Sequence, residues 1–324
     1  MRAIVCNALT GIDGLVLEQR PDPGAPGPGE VRIRISAAGL NYADLLVTTG
    51  KYQVKHDPPF IPGFEAAGMI EALGPQVTAF KQGDRVMAIS EAGAFAEAAI
   101  LPVDRIYPSP TGLDAAEAAG FPIAYGTSYL ALVEQAKLQA GETLLVHGAA
   151  GGVGLTAVEI GKALGAQVIA TAGGPEKCAI AQAHGADHVI DYKAEDIRDR
   201  VKQLVGGVDV VYDPVGGATF EASLRVVNWN ARILIIGFAG GPAPQIPANI
   251  LLVKNVAAMG FYFGSWRQRR PDLVARAFAS LDAMVQAGQL KPLISHRFPL
   301  AEFRRALELI QGRRSTGKVV LTTS

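Results

Sequence analysis

The sequence predicts an α/β chain in which a doubly wound parallel sheet is inserted into a small, barrel-like β domain. Three observations predict it. The first 120 residues carry short strand patterns closely punctuated by glycine and proline. A regular strand–helix alternation then runs from Thr143 to Ile236, and after residue 260 the pattern reverts to two helices and a last strand. The expected division is 1–122 with 261–324 for the β domain, and 123–260 for the inserted sheet.

In the first part, Val31-Arg32-Ile33-Arg34-Ile35 alternates apolar and charged residues, as a half-buried strand does. The Pro- and Gly-rich run from Pro21 to Gly29 before it reads as a connector built of turns. Gly83-Asp84-Arg85 reads as a turn feeding the strand Val86–Ile89. Asp114 to Gln135 is Ala-rich and helix-compatible, with breaks expected at Pro122 and Gly126.

Strands are then expected at Thr143–His147, Gln167–Thr171, His188–Ile190, Val208–Tyr212 and Arg232–Ile236. Helices are expected between them at Leu155–Leu164, Pro175–His184, Ala194–Val205 and up to about Val227. Apolar, β-branched strands alternating with helices predict a parallel sheet covered on both faces. Pro271–Ala287 and Ala301–Gln311 read as helices, and Lys318–Leu321 as a strand that returns to the first domain.

The totals exclude several classes. Among 324 residues, 49% are hydrophobic and 19% charged, which fits a substantial buried core and not a disordered chain. Thirty basic residues balance thirty acidic ones, so no global charge draws the chain to nucleic acid or to an anionic membrane. The one compact basic run, Arg267-Gln268-Arg269-Arg270, reads as a solvated loop or helix start before it reads as a binding patch. Two cysteines, Cys6 and Cys178, make neither a disulfide framework nor a four-cysteine zinc site. The N-terminal residues lack the apolar stretch of a signal peptide, and no segment reads as a membrane span. A soluble, cytoplasmic protein is expected.

The most informative segment runs from Thr143 through Gly154. A strand ends, Gly148, Gly151, Gly152 and Gly154 follow, and a helix opens. Glycines permit a tight turn and close backbone approach, and the helix start offers N–H groups to a pyrophosphate. A plain strand–helix turn would also use glycine, but the surrounding alternation favours a dinucleotide loop. Gly148, Ala150, Gly151, Gly152, Val153 and Gly154 are the expected contacts. Ala149 stands where the first glycine of Gly-x-Gly-x-x-Gly would fall.

The cofactor expected is NADPH. An NAD site places an acid at the end of the second strand, where this chain has Ala172 followed by Gly173. Small residues leave room for a 2′-phosphate, Lys177 can supply charge, and Tyr192 can donate a hydrogen bond. Glu176 is the competing acid, placed inside the following helix.

These residues resemble the medium-chain dehydrogenase/reductases, and within them the quinone oxidoreductase and zeta-crystallin branch. The resemblance rests on Ala38–Asp44, Gly50-Lys51-Tyr52, Pro62–Gly68, Gly83–Val86, Ala149–Gly154, Lys162–Ala166 and Gly317–Leu321, and spans nearly the whole chain. It implies a GroES-like barrel interrupted by a Rossmann domain, with cofactor and substrate meeting in a cleft between them. It also implies a homodimer paired through the Rossmann sheet edge, for which the apolar stretch Ile250–Phe263 is the candidate, though an ordinary core strand would read the same way.

Zinc-dependent relatives hold the metal with a cysteine and a histidine at the positions occupied here by Asn41 and Phe64. Phenylalanine cannot coordinate, and the five histidines show no ligand spacing, so no metal is expected. Without a Lewis acid, substrates that accept hydride readily are favoured: quinones, and alkenes conjugated to a carbonyl. Asn41 is the candidate for positioning the nicotinamide ribose or the substrate carbonyl, with a turn-stabilising amide as the alternative. Tyr52 is the candidate donor to a developing oxyanion, or else a packing residue at the barrel rim. Tyr125, Thr127, Phe238 with its flanking glycines, and Lys318 are further candidate cofactor contacts. Asp44 reads as structural. The functions implied are an NADPH:quinone reductase first, an NADPH-dependent reductase of enones or enoyl thioesters second, and an NADPH-binding sensor or structural protein without significant turnover third.

Overall fold

A computed structural model describes residues 1–323. The chain divides into two compact units, Met1–Ile123 with Pro292–Ser324, and Ala124–Lys291.

The first unit begins with strands β1 (Arg2–Cys6), β2 (Leu15–Gln19), β3 (Glu30–Leu40), β4 (Glu65–Leu73), β5 (Arg85–Ile89), β6 (Ala98–Pro102) and β7 (Ile106–Pro108). A short helix α1 (Tyr42–Val47) interrupts this run, α2 (Ala115–Ala119) follows it, and α3 (Pro122–Tyr129) leads out of it. The second unit contains β8 (Thr143–Val146), α4 (Gly152–Ala163), β9 (Gln167–Ala172), α5 (Pro175–Ala183), β10 (His188–Asp191), α6 (Ile197–Val205) and β11 (Val208–Asp213). It continues with α7 (Ala218–Val226), β12 (Val227–Ile235), α8 (Ala248–Lys254), β13 (Ala257–Gly260), α9 (Phe263–Arg269) and α10 (Pro271–Gln286). The chain then re-enters the first unit as β14 (Ile294–Pro299), α11 (Phe303–Gln311) and β15 (Lys318–Thr322).

The sheet of the first unit has the order β14-β15-β3-β4-β5-β7, with β6 also on β3; β1 and β2 pair separately. The long strand β3 explains this hub. Val31, Ile33 and Ile35 point inward while Arg32 and Arg34 face outward, so its two faces are settled by period two. The returning tail completes the core: Val319 and Leu321 of β15, and Phe303, Ala306 and Leu307 of α11, lie in one apolar cluster with Ile4, Val31 and Phe95. Positions 303, 306, 307 and 310 form a single helical stripe on that cluster.

The second unit is a six-stranded parallel sheet in the order β10-β9-β8-β11-β12-β13. Leu144, Leu145 and Val146 of β8 are wholly buried, as are Val168, Ile169 and Ala170 of β9 and Val210, Val211 and Tyr212 of β11. Burial on both faces is why these strands read as apolar runs without alternation. The strand order reverses direction between β8 and β11, the place where open α/β sheets bind ligands.

Two expectations are corrected. Gly126 does not break a helix but lies inside α3, where a Cβ would come within 2.9 Å of Phe263 and 3.4 Å of Phe278. Glycine there admits the rings of α9 and α10. For the same reason the second boundary falls at Lys291/Pro292 and not at 260/261: α9 and α10 pack with the parallel sheet's unit.

Candidate active site

The loop after β8 is built on backbone. Gly148 has φ +58°, the left-handed conformation that favours glycine, while Ala149 lies outside it and donates its N–H to Thr171 O at 3.0 Å. Alanine therefore replaces the first glycine of the motif without strain. A Cβ on Gly154 would stand 2.2 Å from Gly148 O, so the start of α4 approaches the loop only because that residue is glycine. The first bond of the helix runs from Leu155 N to Gly151 O at 2.9 Å, and helix geometry leaves the amides of Gly152, Val153 and Gly154 without an intrahelical acceptor. Ala150 is 2% exposed and fills the turn from beneath. His147 anchors the loop from the core: its Nδ1 meets Thr171 Oγ1 at 2.9 Å and its Nε2 meets Ser223 Oγ at 2.7 Å, and burial pushes its pKa down, keeping the ring neutral.

At the end of β9, Ala172 is buried and Gly173 lies under Tyr192, whose Oη would be 2.5 Å from a Cβ at that position. Tyr192 itself is 48% exposed. Lys177 sits in the first turn of α5, and Glu176 is exposed beside it. Asp191 is a residue of this corner that sequence reasoning misses. Its Oδ1 accepts from Gly174 N at 2.9 Å and Lys193 N at 3.0 Å, and these two amides hold its carboxyl below the usual range. It shapes the turn that carries Gly173 and Tyr192.

Asp213 is missed as well. It ends β11, is 1% exposed, and accepts from Val215 N at 2.8 Å and Gly216 N at 2.9 Å through Oδ1. Its Oδ2 is buried without a partner among the described residues. The Asp-Pro-Val-Gly-Gly run after an apolar strand is the signal that could have found it. This turn is clasped by the next loop, where Ala239 N bonds Pro214 O at 3.1 Å and Gly240 N bonds Val215 O at 2.7 Å. Phe238 of that loop is 44% exposed.

Two candidates are redirected. Tyr125 is 3% exposed and its hydroxyl donates to Glu159 Oε2 at 2.5 Å, which ties it to the core. Glu159, 4% exposed, also takes His184 Nδ1 at 2.6 Å and Lys291 N at 3.2 Å on Oε1. One carboxylate thus anchors the chain where it enters this unit and where it leaves. Thr127 is buried at 7% exposure, further along the same helix.

In the first unit, Asn41 precedes α1 at the end of β3, and its side chain lies in a buried ionic cluster. Lys318, opening β15, donates to Leu40 O at 2.9 Å, Asn41 Oδ1 at 2.8 Å and Glu65 Oε1 at 2.6 Å. Glu65 Oε1 also accepts from Asn41 Nδ2 at 2.9 Å, and Glu65 Oε2 from Ile123 N at 2.9 Å. Glu65 is wholly buried and Lys318 is 6% exposed. Lysine has three N–H donors, and all three are spent here. The ammonium of Lys318, expected as a cofactor contact, is engaged by Leu40, Asn41 and Glu65. Asp44, 1% exposed, accepts from Asn41 N at 2.7 Å on Oδ2, while its Oδ1 has no partner among the described residues. Burial, against the pull of Asn41 N and Lys318, pushes its pKa up to about 8. Tyr52 follows on an irregular segment and packs edge-on against Phe64, with ring centroids 5.2 Å apart. Among the described residues no group of three or more His, Cys, Asp or Glu side chains is arranged to hold a metal ion, and no helix is long and apolar enough to cross a membrane.

Comparison with known proteins agrees with this geometry. Residues 27–111 match the family described as alcohol dehydrogenase GroES-like domain, and residues 152–279 match that described as zinc-binding dehydrogenase. The chain is 40% identical over 327 residues to the quinone oxidoreductase-like protein 2 homolog of Nematostella vectensis, spanning 99% of this chain and 89% of that protein. Among solved structures it resembles the quinone oxidoreductase of Thermus thermophilus, studied alone and in complex with NADPH, at 36% identity and a TM-score of 0.87, covering 99% of this chain and all of that one. It also resembles a 2-haloacrylate reductase, at 31% identity and a TM-score of 0.87, each chain covered in full. A GroES-like unit, a Rossmann-type parallel sheet and relatives of this identity over nearly the whole length lead to one conclusion: the chain belongs to the quinone-oxidoreductase branch of the medium-chain dehydrogenase/reductase family.

Proposed function

We propose that this oxidoreductase uses NADPH to reduce quinones and works without zinc. The observation that carries the reading is the Asn41 amide. It stands where a zinc ligand would be, but it is held by Lys318 and Glu65 and presents a hydrogen-bond donor in place of a metal. Phe64, at the position of the other ligand, offers no lone pair. The residues do not fit zinc.

The second unit fits a dinucleotide. The amides of Gly152, Val153 and Gly154 and the glycine-lined approach suit a pyrophosphate, with Gly148, Ala150 and Gly151 forming its floor. Gly173, Lys177 and Tyr192 suit a 2′-phosphate, since no acid ends β9 and a lysine stands in the first turn of the next helix. Phe238 and its flanking glycines suit the nicotinamide end. NADPH, when bound, supplies a hydride. The protein's own part is to stabilise the charge that the accepted hydride leaves on a carbonyl oxygen. Asn41 Nδ2 does this by donating a hydrogen bond, and the Tyr52 hydroxyl is the second donor and proton source. Relatives complexed with NADPH support the cofactor, and the small-molecule substrate follows from the branch.

The test is to follow NADPH and NADH oxidation with quinones, an enone and a short enoyl-CoA, with and without chelator. The expected result is NADPH-selective quinone turnover indifferent to chelator. A preference for NADH overturns the cofactor reading, and loss of activity on chelation overturns the zinc-free one. Selective turnover of the enone or thioester moves the substrate to activated alkenes, a reading favoured by the likeness to a 2-haloacrylate reductase. Tight NADPH binding without turnover would favour a sensor.

We further read the protein as a cytoplasmic homodimer. The parallel sheet ends in β13, whose outer edge is open, and Leu252, Val253 and Trp229 near it are 81%, 80% and 74% exposed. Light scattering should give twice the chain mass, and Leu252→Glu with Val253→Glu should halve it.

A further inference from the structure

We propose that Lys318 is a positioning residue: with Glu65 it fixes the side-chain amide of Asn41 so that an N–H, not the carbonyl oxygen, is presented to the substrate. The inference rests on the reading of Asn41 as the donor in the proposed function. It adds what makes that donor a donor.

An asparagine amide is nearly symmetric, and its oxygen and nitrogen exchange places on a half-turn of the terminal torsion. Here the two neighbours decide between the orientations. An ammonium can only donate and a carboxylate can only accept. Lys318 Nζ lies 2.8 Å from one end of the amide, and Glu65 Oε1 lies 2.9 Å from the other. A half-turn would put NH₂ against the ammonium and C=O against the carboxylate. Both contacts would be repulsive, in a cluster where Glu65 is 0% and Lys318 6% exposed and water screens little.

The cluster is itself rigid. Lys318 is tied at Leu40 O as well, on the strand that ends at Asn41. Glu65 is tied at Ile123 N through its second oxygen. The Asn41 backbone is held by Asp44 Oδ2 at 2.7 Å. The amide bonds once to each charged partner, which leaves one Nδ2–H for a ligand. Asn41 is itself partly exposed, at the rim of the buried cluster. Hydride addition to a quinone or conjugated carbonyl puts charge on oxygen, and a donor already oriented costs no reorganisation at that moment.

Lysine at 318 thus acts through Asn41 without touching substrate. A structural residue would raise or lower everything together, whereas a positioning residue would act on turnover alone. Lys318→Met leaves Glu65 buried and unpaired and risks unfolding, so the working variant is the neutral pair Glu65→Gln with Lys318→Met. This should keep the fold and free the amide. Quinone turnover at saturation should then fall about 10- to 100-fold, up to the cost of losing an aligned oxyanion donor. The Kd for NADPH should stay within about twofold of wild type by fluorescence titration. Adding Asn41→Ala should cost nothing more, because the three residues act as one unit.

The outcomes separate. If Asn41→Ala alone leaves kcat unchanged, the reading of Asn41 as donor fails, and the proposal with it. If Asn41→Ala lowers kcat but the neutral pair does not, or if the two effects multiply, the positioning role is overturned while the donor reading stands. A tenfold loss of NADPH affinity in the neutral pair returns Lys318 to the cofactor. The wild-type enzyme gives an independent reading in ¹⁵N spectra. One Asn side-chain proton should be shifted strongly downfield by the carboxylate bond and should vanish in Asn41→Ala. Its absence in the wild type overturns the proposal whatever the variants do.

Discussion

The loop after β8 and the Asn41 cluster both hold hydrogen-bond donors in fixed places, by opposite means. The loop uses backbone amides, and its requirements are steric: a left-handed residue at Gly148 and no Cβ at Gly154. The cluster uses side chains carried on β3, β4 and β15, and its requirements are electrostatic. The loop is contiguous along the chain, whereas Lys318 is 277 residues from Asn41. A site made of backbone is sensitive to added volume; a site made of charges is sensitive to their removal one at a time.

The largest effect should come from breaking the cluster's charge balance. Lys318→Met strands Glu65 as an unpaired buried charge, and urea unfolding should show a loss of about 3–5 kcal/mol. The neutral pair Glu65→Gln/Lys318→Met should recover most of it. An equal loss in both would mean that packing, not charge, sets the cost. Next comes the loop. Gly154→Ala places a methyl 2.2 Å from Gly148 O, forcing the helix start away. NADPH affinity should fall about 100-fold, worth about 2.7 kcal/mol, with quinone KM unchanged. Affinity near wild type would show that the loop is not the cradle.

A smaller effect tests the 2′-phosphate reading. Lys177→Ala should lower kcat/KM for NADPH about tenfold, or about 1.4 kcal/mol, and leave that for NADH alone; equal losses would remove Lys177 from selectivity. The last is a slope. The Asp44 carboxyl is raised from 3.8 to about 8 on folding, so the folded state holds its proton more tightly than the unfolded one. Its stabilisation is complete below pH 3.8 and is lost as pH rises through 8. Asp44→Asn should therefore gain on wild type as pH rises from about 4 to about 8, read by urea unfolding at each pH. Parallel curves would show that Asp44 is ionised throughout that range.

The same contrast explains what the sequence discloses. Buried strands such as Thr143–Val146 and Gln167–Ala172 are legible because burial on both faces demands unbroken apolar runs. The loop is legible because steric rules for glycine act locally. β12 begins at Val227, ahead of the expected Arg232, because Asn228, Trp229 and Asn230 are all exposed and Asn230 has φ +64°, which erases any alternation. Gly126 looks like a breaker because its reason, the rings of Phe263 and Phe278, comes from far along the chain. Glu65 is visible only as part of a motif, since nothing local marks a carboxylate whose counter-ion lies 253 residues away.

That separation also sets an order of events during synthesis. The parallel-sheet unit is one continuous stretch and can fold as it emerges, but the first unit stays open until its C-terminal strands arrive. Until β15 docks, Glu65 has no ammonium beside it and must remain hydrated or protonated. The nascent chain therefore carries a parallel-sheet half that is complete early and a β half completed late. Arrival of Lys318 brings the Asn41 amide its second charged partner, so a chain that has not yet added β15 lacks the contact that tells the two ends of that amide apart.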